Sequence, residues 1–220
     1  MIDYDMGNVG SILNMLRRLG FAASLSSEPT EIRNAAGLIL PGVGAFDQGM
    51  GNLRERGLTD CLDDAVLNQR KPLLGICLGM QLLTEGSEEG KLPGLGWVSG
   101  HCRRFDFSRE PEGRRIPHMG WNRVFVRPRP TGEENLAAVL FANTDPNQRY
   151  YFVHSYYPCC ASDSDVLAEA IYGYRFPAAI GSRNVVGTQF HPEKSHRFGM
   201  RLIQNFASFV SGRVEERRTA

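Results

Sequence analysis

A cysteine between glycines, directly after an apolar run, has the residue types and spacing for nucleophilic chemistry: Leu74-Gly75-Ile76-Cys77-Leu78-Gly79. G-x-C-x-G is the thiol form of the elbow in which a strand turns sharply into a helix and lifts a nucleophile above the sheet. The glycines serve the turn, since a side chain on either would collide with the strained backbone or block close packing. A sulfur at a helix N-terminus sits at the positive end of the helix dipole, which favours thiolate. The Leu78 backbone N–H would face the oxygen of a tetrahedral intermediate, and one such donor typically lowers a barrier by about 3 kcal/mol. Read alone, the motif leaves open a small thiol packed behind a core strand, because free cysteine also fills cores.

A thiol nucleophile needs a base. Of the five histidines, only His191 has a suggestive neighbourhood, Thr188-Gln189-Phe190-His191-Pro192-Glu193 at the end of an apolar strand. On extended backbone, residues i and i+2 point the same way. Glu193 can therefore hold the imidazole while its other nitrogen takes the Cys77 proton. Pro192 would stiffen the pair and end the strand. On its own, H-P-E reads better as a surface histidine at a strand end.

The elements that must position these residues are legible. Val9, Ile12, Leu13, Leu16 and Leu19 recur at helical spacing, with Gly20 as a stop. Residues 37–41 and 72–76 are short buried strands, and 57–69 reads as a helix through Leu58, Leu62, Ala65 and Val66. Strands alternating with helices through about residue 85 make βαβ units and a parallel sheet. From 95 to 190 the pattern turns to strands, at 97–105, 122–128, 149–157, 166–172, 178–182 and 185–190. A last helix begins at Ser195, a candidate N-cap, and buries Phe198, Leu202, Ile203 and Phe206. Residues 1–212 form one domain and 213–220 a charged tail that frays. Met1-Ile2-Asp3-Tyr4 reads as a first strand, short for a position that is usually central, so apolar residues are expected upstream of it.

Composition excludes several classes. The chain has 220 residues and net charge +1, without the basic excess of a nucleic-acid footprint. No apolar run is long enough to span a bilayer, and the start lacks a signal-peptide pattern. Five cysteines, an odd number, suit a reducing, cytosolic setting with free thiols. There is no CxxC pair, and His191 to His196 lacks helical HExxH spacing, so a metal site is the weaker reading.

Residues 75–81 and 190–194 resemble the triad, or class I, glutamine amidotransferases, and the likeness runs from Met1 to Phe206. Four further stretches, 38–46, 79–83, 117–122 and 150–157, are similar to glutaminase subunits serving a synthase that closes an imidazole ring. The resemblance implies an α/β fold with a mostly parallel central sheet flanked by helices and a smaller antiparallel sheet from the second half. It makes Cys77 the nucleophile, His191 the base and Glu193 its orienter, with no cofactor and no metal. Val43 joins Leu78 in the oxyanion hole, through a peptide that can turn toward or away from the site. Gly42 and Gly44, on either side of Val43, make such a turn cheap. Gln81, Glu89, His154, Ser155 and Tyr156 match glutamine-holding positions. Asn8, Pro117, His118, Met119, Trp121 and Asn122 match a surface that meets the partner, and Trp121 is exposed in the family.

Glutaminase chemistry yields ammonia, which is mostly protonated in neutral water and then a poor nucleophile. A shielded path to an acceptor is needed, and this chain has no residues to spare for an acceptor domain. The implied partner is a TIM-barrel synthase that binds a ribosyl-aminoimidazole, forms a heterodimer and raises a low basal glutaminase activity. The chain departs from the pattern at Asp5, where Gly or Ser is more usual, and in a longer loop before Pro117. Those departures resemble paralogous glutaminases that feed a sugar amidotransferase in surface-polysaccharide synthesis. A thiol hydrolase of similar fold, and a non-catalytic binding module, are the readings from other classes.

Overall fold

The computed structural model describes residues 1–108, 113–128 and 136–219, with side chains through Arg213. In chain order the elements are α1 (Val9–Arg18), α2 (Pro29–Asn34), β1 (Leu38–Leu40), α3 (Phe46–Glu55), α4 (Leu58–Asp63), β2 (Leu73–Ile76), α5 (Leu78–Gln81), β3 (Gly86–Ser87) and β4 (Gly100–Arg104). They continue as β5 (His118–Arg123), β6 (Phe125–Val126), α6 (Leu136–Leu140), β7 (Arg149–His154), β8 (Tyr156–Cys160), β9 (Val166–Tyr172), β10 (Tyr174–Ser182), β11 (Val185–Thr188) and α7 (His196–Thr219).

Six strands form the main sheet in the order β1-β2-β11-β10-β9-β6. The pairs β1–β2 and β2–β11 are parallel, while β11–β10, β10–β9 and β9–β6 are antiparallel. The sheet is thus parallel only over its first half, and the strands of the second half extend it as well as forming smaller sheets. The reason lies in the connections: β9 and β10 are joined by Gly173 alone, at φ 76°, and β10 and β11 by Arg183 and Asn184. Such tight turns permit only antiparallel neighbours, whereas a parallel pair needs a crossover of a dozen or more residues. Two smaller sheets, β3-β4-β8 and the antiparallel pair β5-β7, stand beside the main one.

Strand alternation divides the core. Leu38, Leu40 and Leu73 pack on one face with Phe46, Met50, Leu62 and Met80. Ile39, Leu74 and Ile76 pack on the other with Ile12, Leu16, Leu202, Ile203 and Phe206. Both faces of β1 and β2 are covered, which explains their unbroken apolar sequence.

The structure departs from the sequence reading in several places. The expected first strand is a single bridge, Ile2 to Ser26, with the Ile2 N–H donating to Ile39 O at 2.9 Å. The helix expected over 57–69 changes to a π-turn at Asp64–Asn68. Phe198 is only partly buried. Helix α7 runs through Thr219 and so includes most of the segment read as a fraying tail. Asp5 has a left-handed backbone, φ 60°, and pairs with Arg56. That conformation accounts for the usual glycine there, and Asp is among the few side chains that tolerate it.

Candidate active site

Strands β2 and β11 are parallel neighbours, and the site lies at their common C-terminal end, where open α/β sheets place their ligands. The chain leaves β2 at Cys77, which has φ 54° and ψ −108° and starts α5. That backbone is strained for a non-glycine residue and matches a nucleophile elbow. It is held from three sides. The Cys77 N–H donates to Thr188 O at 2.7 Å, and the Cys77 carbonyl accepts from Met80 and Gln81. A Cβ on Gly79 would stand 1.9 Å from the Leu40 carbonyl oxygen, and one on Gly75 2.7 Å from that of Gly79. The glycines expected for close approach are therefore required for it. The helix that follows, α5, is one turn long.

His191 follows β11 and is 1% exposed. Its Nδ1–H donates to Glu193 Oε1 at 2.8 Å, and the Glu193 side chain is 2% exposed. The two meet as expected, but over a 3-10 turn, Pro192–Lys194, and not along a strand. Burial alone would lower the imidazole pKa, yet the Cys77 sulfur and the Glu193 carboxylate outweigh it and raise it to about 10. The other ring nitrogen, Nε2, is buried with no hydrogen-bond partner. An unsatisfied buried nitrogen costs stability, and with the pKa raised the ring holds a proton at neutral pH beside the cleft it lines.

Ser195 occupies the N-cap position of α7, but its hydroxyl does not cap the helix. It donates to His191 O at 2.6 Å and accepts from Tyr151 N–H at 3.0 Å. The residue read as a cap thus fixes the backbone of His191.

The loop 41–44 packs over the elbow. Leu78 N–H donates to Gly42 O at 3.3 Å, so the donor expected to face an oxyanion is taken by the Gly42–Val43 peptide. Because carbonyl and N–H point oppositely across a trans peptide, the Val43 N–H faces away from Leu78. Tyr4, fully buried, donates its hydroxyl to Pro41 O and anchors the loop from below.

A cleft of about 310 Å³ brings together Val43, Gly44, Cys77, Leu78, Gln81, Glu89, Pro117, His154, Ser155, Tyr156 and His191 from the sequence reading, and adds Val153. Within it several side chains are already engaged. Glu89 accepts from the Phe46 N–H at 2.8 Å, where a carboxylate complements the N-terminus of α3. Gln81, 5% exposed, donates to Tyr156 O at 2.9 Å and to Gln189 Oε1 at 3.1 Å. Gln189, fully buried, faces Cys77 Sγ with Nε2 at 3.8 Å. Sequence reasoning missed Gln189, although a polar residue inside Val185-Val186-Gly187-Thr188-Gln189-Phe190 was a visible signal.

His154 and His118 form a buried pair. His154 Nδ1–H donates to Tyr156 O at 2.8 Å, so its Nε2 accepts from His118 Nδ1–H at 3.0 Å. His118 Nε2 then accepts from Asn122 Nδ2 at 3.2 Å. Every proton is assigned by the carbonyl at one end and the amide at the other, and both rings are neutral. Burial lowers His118 to about 4, and burial, with smaller contributions from the nearby His118 and His191 rings, lowers His154 to about 3. His154 therefore has no free nitrogen for a ligand. His118 is not a surface residue: on β5 it points inward, while its neighbour Met119 is 62% and Trp121 47% exposed. Pro117 and Asn8 are exposed too, and the Asn8 side chain makes no cap bond to α1.

Residues 1–209 match the glutamine amidotransferase class-I family, and the chain belongs to that family. It is 48% identical over 206 residues to "Imidazole glycerol phosphate synthase subunit HisH 2" of Methanococcus maripaludis, covering 94% of this chain and 96% of the relative. With the protein of the same name from Pseudomonas aeruginosa it shares 46% over 210 residues, 96% of this chain and 98% of the relative. Among solved structures it resembles one described as a glutamine amidotransferase, with TM-score 0.70 and 21% identity over 96% of this chain and 97% of the other. The glutaminase domain of Trypanosoma brucei CTPS, solved with bound acivicin, aligns with TM-score 0.61 and 16% identity over 94% of this chain and 86% of that one. At those identities the two structures speak to the fold alone.

Proposed function

We propose that the chain is the glutaminase subunit of an imidazole glycerol phosphate synthase. It releases ammonia from glutamine through a Cys77 thioester and passes it to a separate synthase subunit in histidine biosynthesis. The observation that carries the reading is the meeting of a strained elbow cysteine with a buried His191–Glu193 pair at adjoining strand ends. With its pKa raised by the Cys77 sulfur and Glu193, His191 holds the proton taken from Cys77 on Nε2, which has no other partner. The sulfur attacks the side-chain amide carbon, and the same nitrogen returns the proton to the departing ammonia. Water then cleaves the thioester and releases glutamate. Gln81, Glu89 and the 154–156 segment hold the amino-acid end of the substrate, the last through backbone and Ser155, since the His154 ring is spent.

The oxyanion hole needs the Gly42–Val43 peptide to rotate. In the arrangement present, its carbonyl covers the Leu78 N–H. Rotation frees that donor and brings the Val43 N–H to join it. A resting state of this kind supports a glutaminase that waits for its partner. The first loop offers a route: a Cβ on Gly7 would lie 3.0 Å from Pro41 and 3.1 Å from Gly42 N, so the loop carrying Asn8 rests directly on the oxyanion loop. The TIM-barrel partner seats on Asn8, Pro117, Met119, Trp121 and Asn122, of which Met119 and Trp121 are the large exposed apolar members.

A second reading keeps the half-reaction and changes the acceptor. Relatives from three organisms are named HisH 2, and a numbered second copy leaves room for a sugar amidotransferase partner. The deciding experiment mixes the purified chain with each candidate synthase subunit and follows amide nitrogen from labelled glutamine. Transfer into a ribosyl-aminoimidazole product establishes the first reading, and transfer into an amidated sugar the second. Full glutaminase turnover by the chain alone would discard both in favour of a free hydrolase.

A further inference from the structure

Gln189 is a buried polar side chain that the reaction as described does not use. It lies two residues before His191, and its backbone N–H donates to Ala178 O at 2.8 Å, so the chain is still held to β10 there. Its amide orientation follows from its neighbours. The Tyr156 carbonyl can only accept, so the Gln81 atom facing it is the NH2 nitrogen. That same nitrogen faces Gln189, which must therefore present its oxygen to Gln81. The Gln189 NH2 group is left directed at Cys77 Sγ. The His154 Nδ1–H on the same Tyr156 carbonyl, backed by His118 and Asn122, keeps that carbonyl in place. The result is one hydrogen-bonded chain from Asn122 on the exposed strand β5 to the sulfur, with every donor assigned.

We propose that Gln189 is a positioning residue of the glutaminase reaction, its side-chain N–H aimed by Gln81 to hold the Cys77 sulfur as an anion. The inference rests on Cys77 being the nucleophile. At 3.8 Å the contact is long, as suits a weak acceptor, and it tightens when the sulfur carries negative charge. The donor thus favours the thiolate that attacks the amide carbon. It favours equally the thiolate that leaves when water cleaves the thioester, where the carbon–sulfur bond electrons return to sulfur. Gln189 lies behind the nucleophile and lines none of the cleft, and Gln81 keeps its bond to the Tyr156 carbonyl without it, so its loss changes turnover more than substrate affinity.

The test uses the chain bound to its synthase subunit. Gln189→Met, of similar length and without a donor, is expected to lower glutaminase kcat about tenfold with KM for glutamine within about twofold. Iodoacetamide labelling of Cys77, mapped by mass spectrometry, slows in parallel, while synthase turnover with added ammonia is unchanged. Unchanged kcat and labelling, with only a lower Tm, would reduce Gln189 to a buried structural amide and overturn the proposal. Should Gln189→Met not fold, the wild-type chain supplies the measurement: the Gln189 side-chain N–H resonances shift on alkylation of Cys77, and resonances that stay put overturn it. Cys77→Ser separates the two claims, because retained glutaminase activity there defeats the reading of the nucleophile itself.

Discussion

At the scale of single residues, the site is a set of protons assigned by burial. Cys77→Ser is expected to lower glutaminase turnover by about a thousandfold or more in the assembled enzyme, with partner binding retained in a pull-down. Glutamine-analogue electrophiles should label Cys77 and spare the other thiols. Burial pushes Cys102 and Cys160 up to about 12, and raises Cys61 and Cys159 as well, so none of the four is a competing thiolate at neutral pH. The raised His191 pKa also has a consequence for stability. Its folded value of about 10 lies above the unfolded 6.5, so the native state binds the extra proton. The stabilisation is full below pH 6.5 and is lost as pH climbs toward 10. Glu193→Gln removes one of the two groups that hold the proton. The Tm gap between wild type and Glu193→Gln should therefore be widest near pH 6 and narrow toward pH 10 in calorimetry.

At the scale of elements, the elbow depends on two layers of backbone touching. Gly79→Ala would drive a Cβ into the Leu40 carbonyl at 1.9 Å, where neither side can give by a side-chain rotation. A loss of about 3 kcal/mol in denaturant unfolding is expected, with the elbow displaced and activity lost as well. The β5–β7 pair is held from inside by His118 and His154, both neutral. Their lowered pKa values mean that the unfolded chain takes up protons first on acidification. Stability from this pair is full above pH 6.5 and falls as pH drops toward 4. His118→Phe keeps a ring against Tyr172, whose centroid lies 4.2 Å from that of His118, and removes one of the titrating groups. It should lower Tm at pH 7 yet flatten the decline between pH 6.5 and 4.

At the scale of the whole molecule, an exposed rim borders the cleft. Met119 and Trp121 alternate outward on β5 while His118 turns inward, and Trp121 stacks on His196 with ring planes 2° apart. A large, half-exposed ring held rigid in this way is the residue type that dominates association energies. Trp121→Ala should weaken binding of the synthase subunit by about 2 kcal/mol, roughly thirtyfold, in titration calorimetry. Tm of the isolated chain should hardly move, which separates loss of an interface from loss of fold. Among the described residues no helix is long and apolar enough to cross a membrane.

How much of this was legible beforehand differs by element. The elbow, the His191–Glu193 pair and the apolar runs of β1, β2 and β11 follow from local rules, because glycine spacing, closeness in sequence and unbroken burial act over a few residues. Ser195 was placed at the right boundary and given the wrong bond, since a hydroxyl's partner 44 residues away, the Tyr151 N–H, cannot be read from its neighbours. Helix α3 escaped notice because Gly49 and Gly51 lower its propensity, and its packing on Leu78 and Leu82 outweighs them. The inward turn of His118 depended on the register of β5 against β7, which a shift of one residue would have reversed. By itself, then, the sequence determined which residues are candidates for the chemistry and that they lie at strand ends, for those are matters of residue type and short-range spacing. Only the tertiary structure decided which peptide covers the Leu78 N–H, which amide faces the sulfur and which histidine is hidden, because each depends on contacts between segments far apart in the chain.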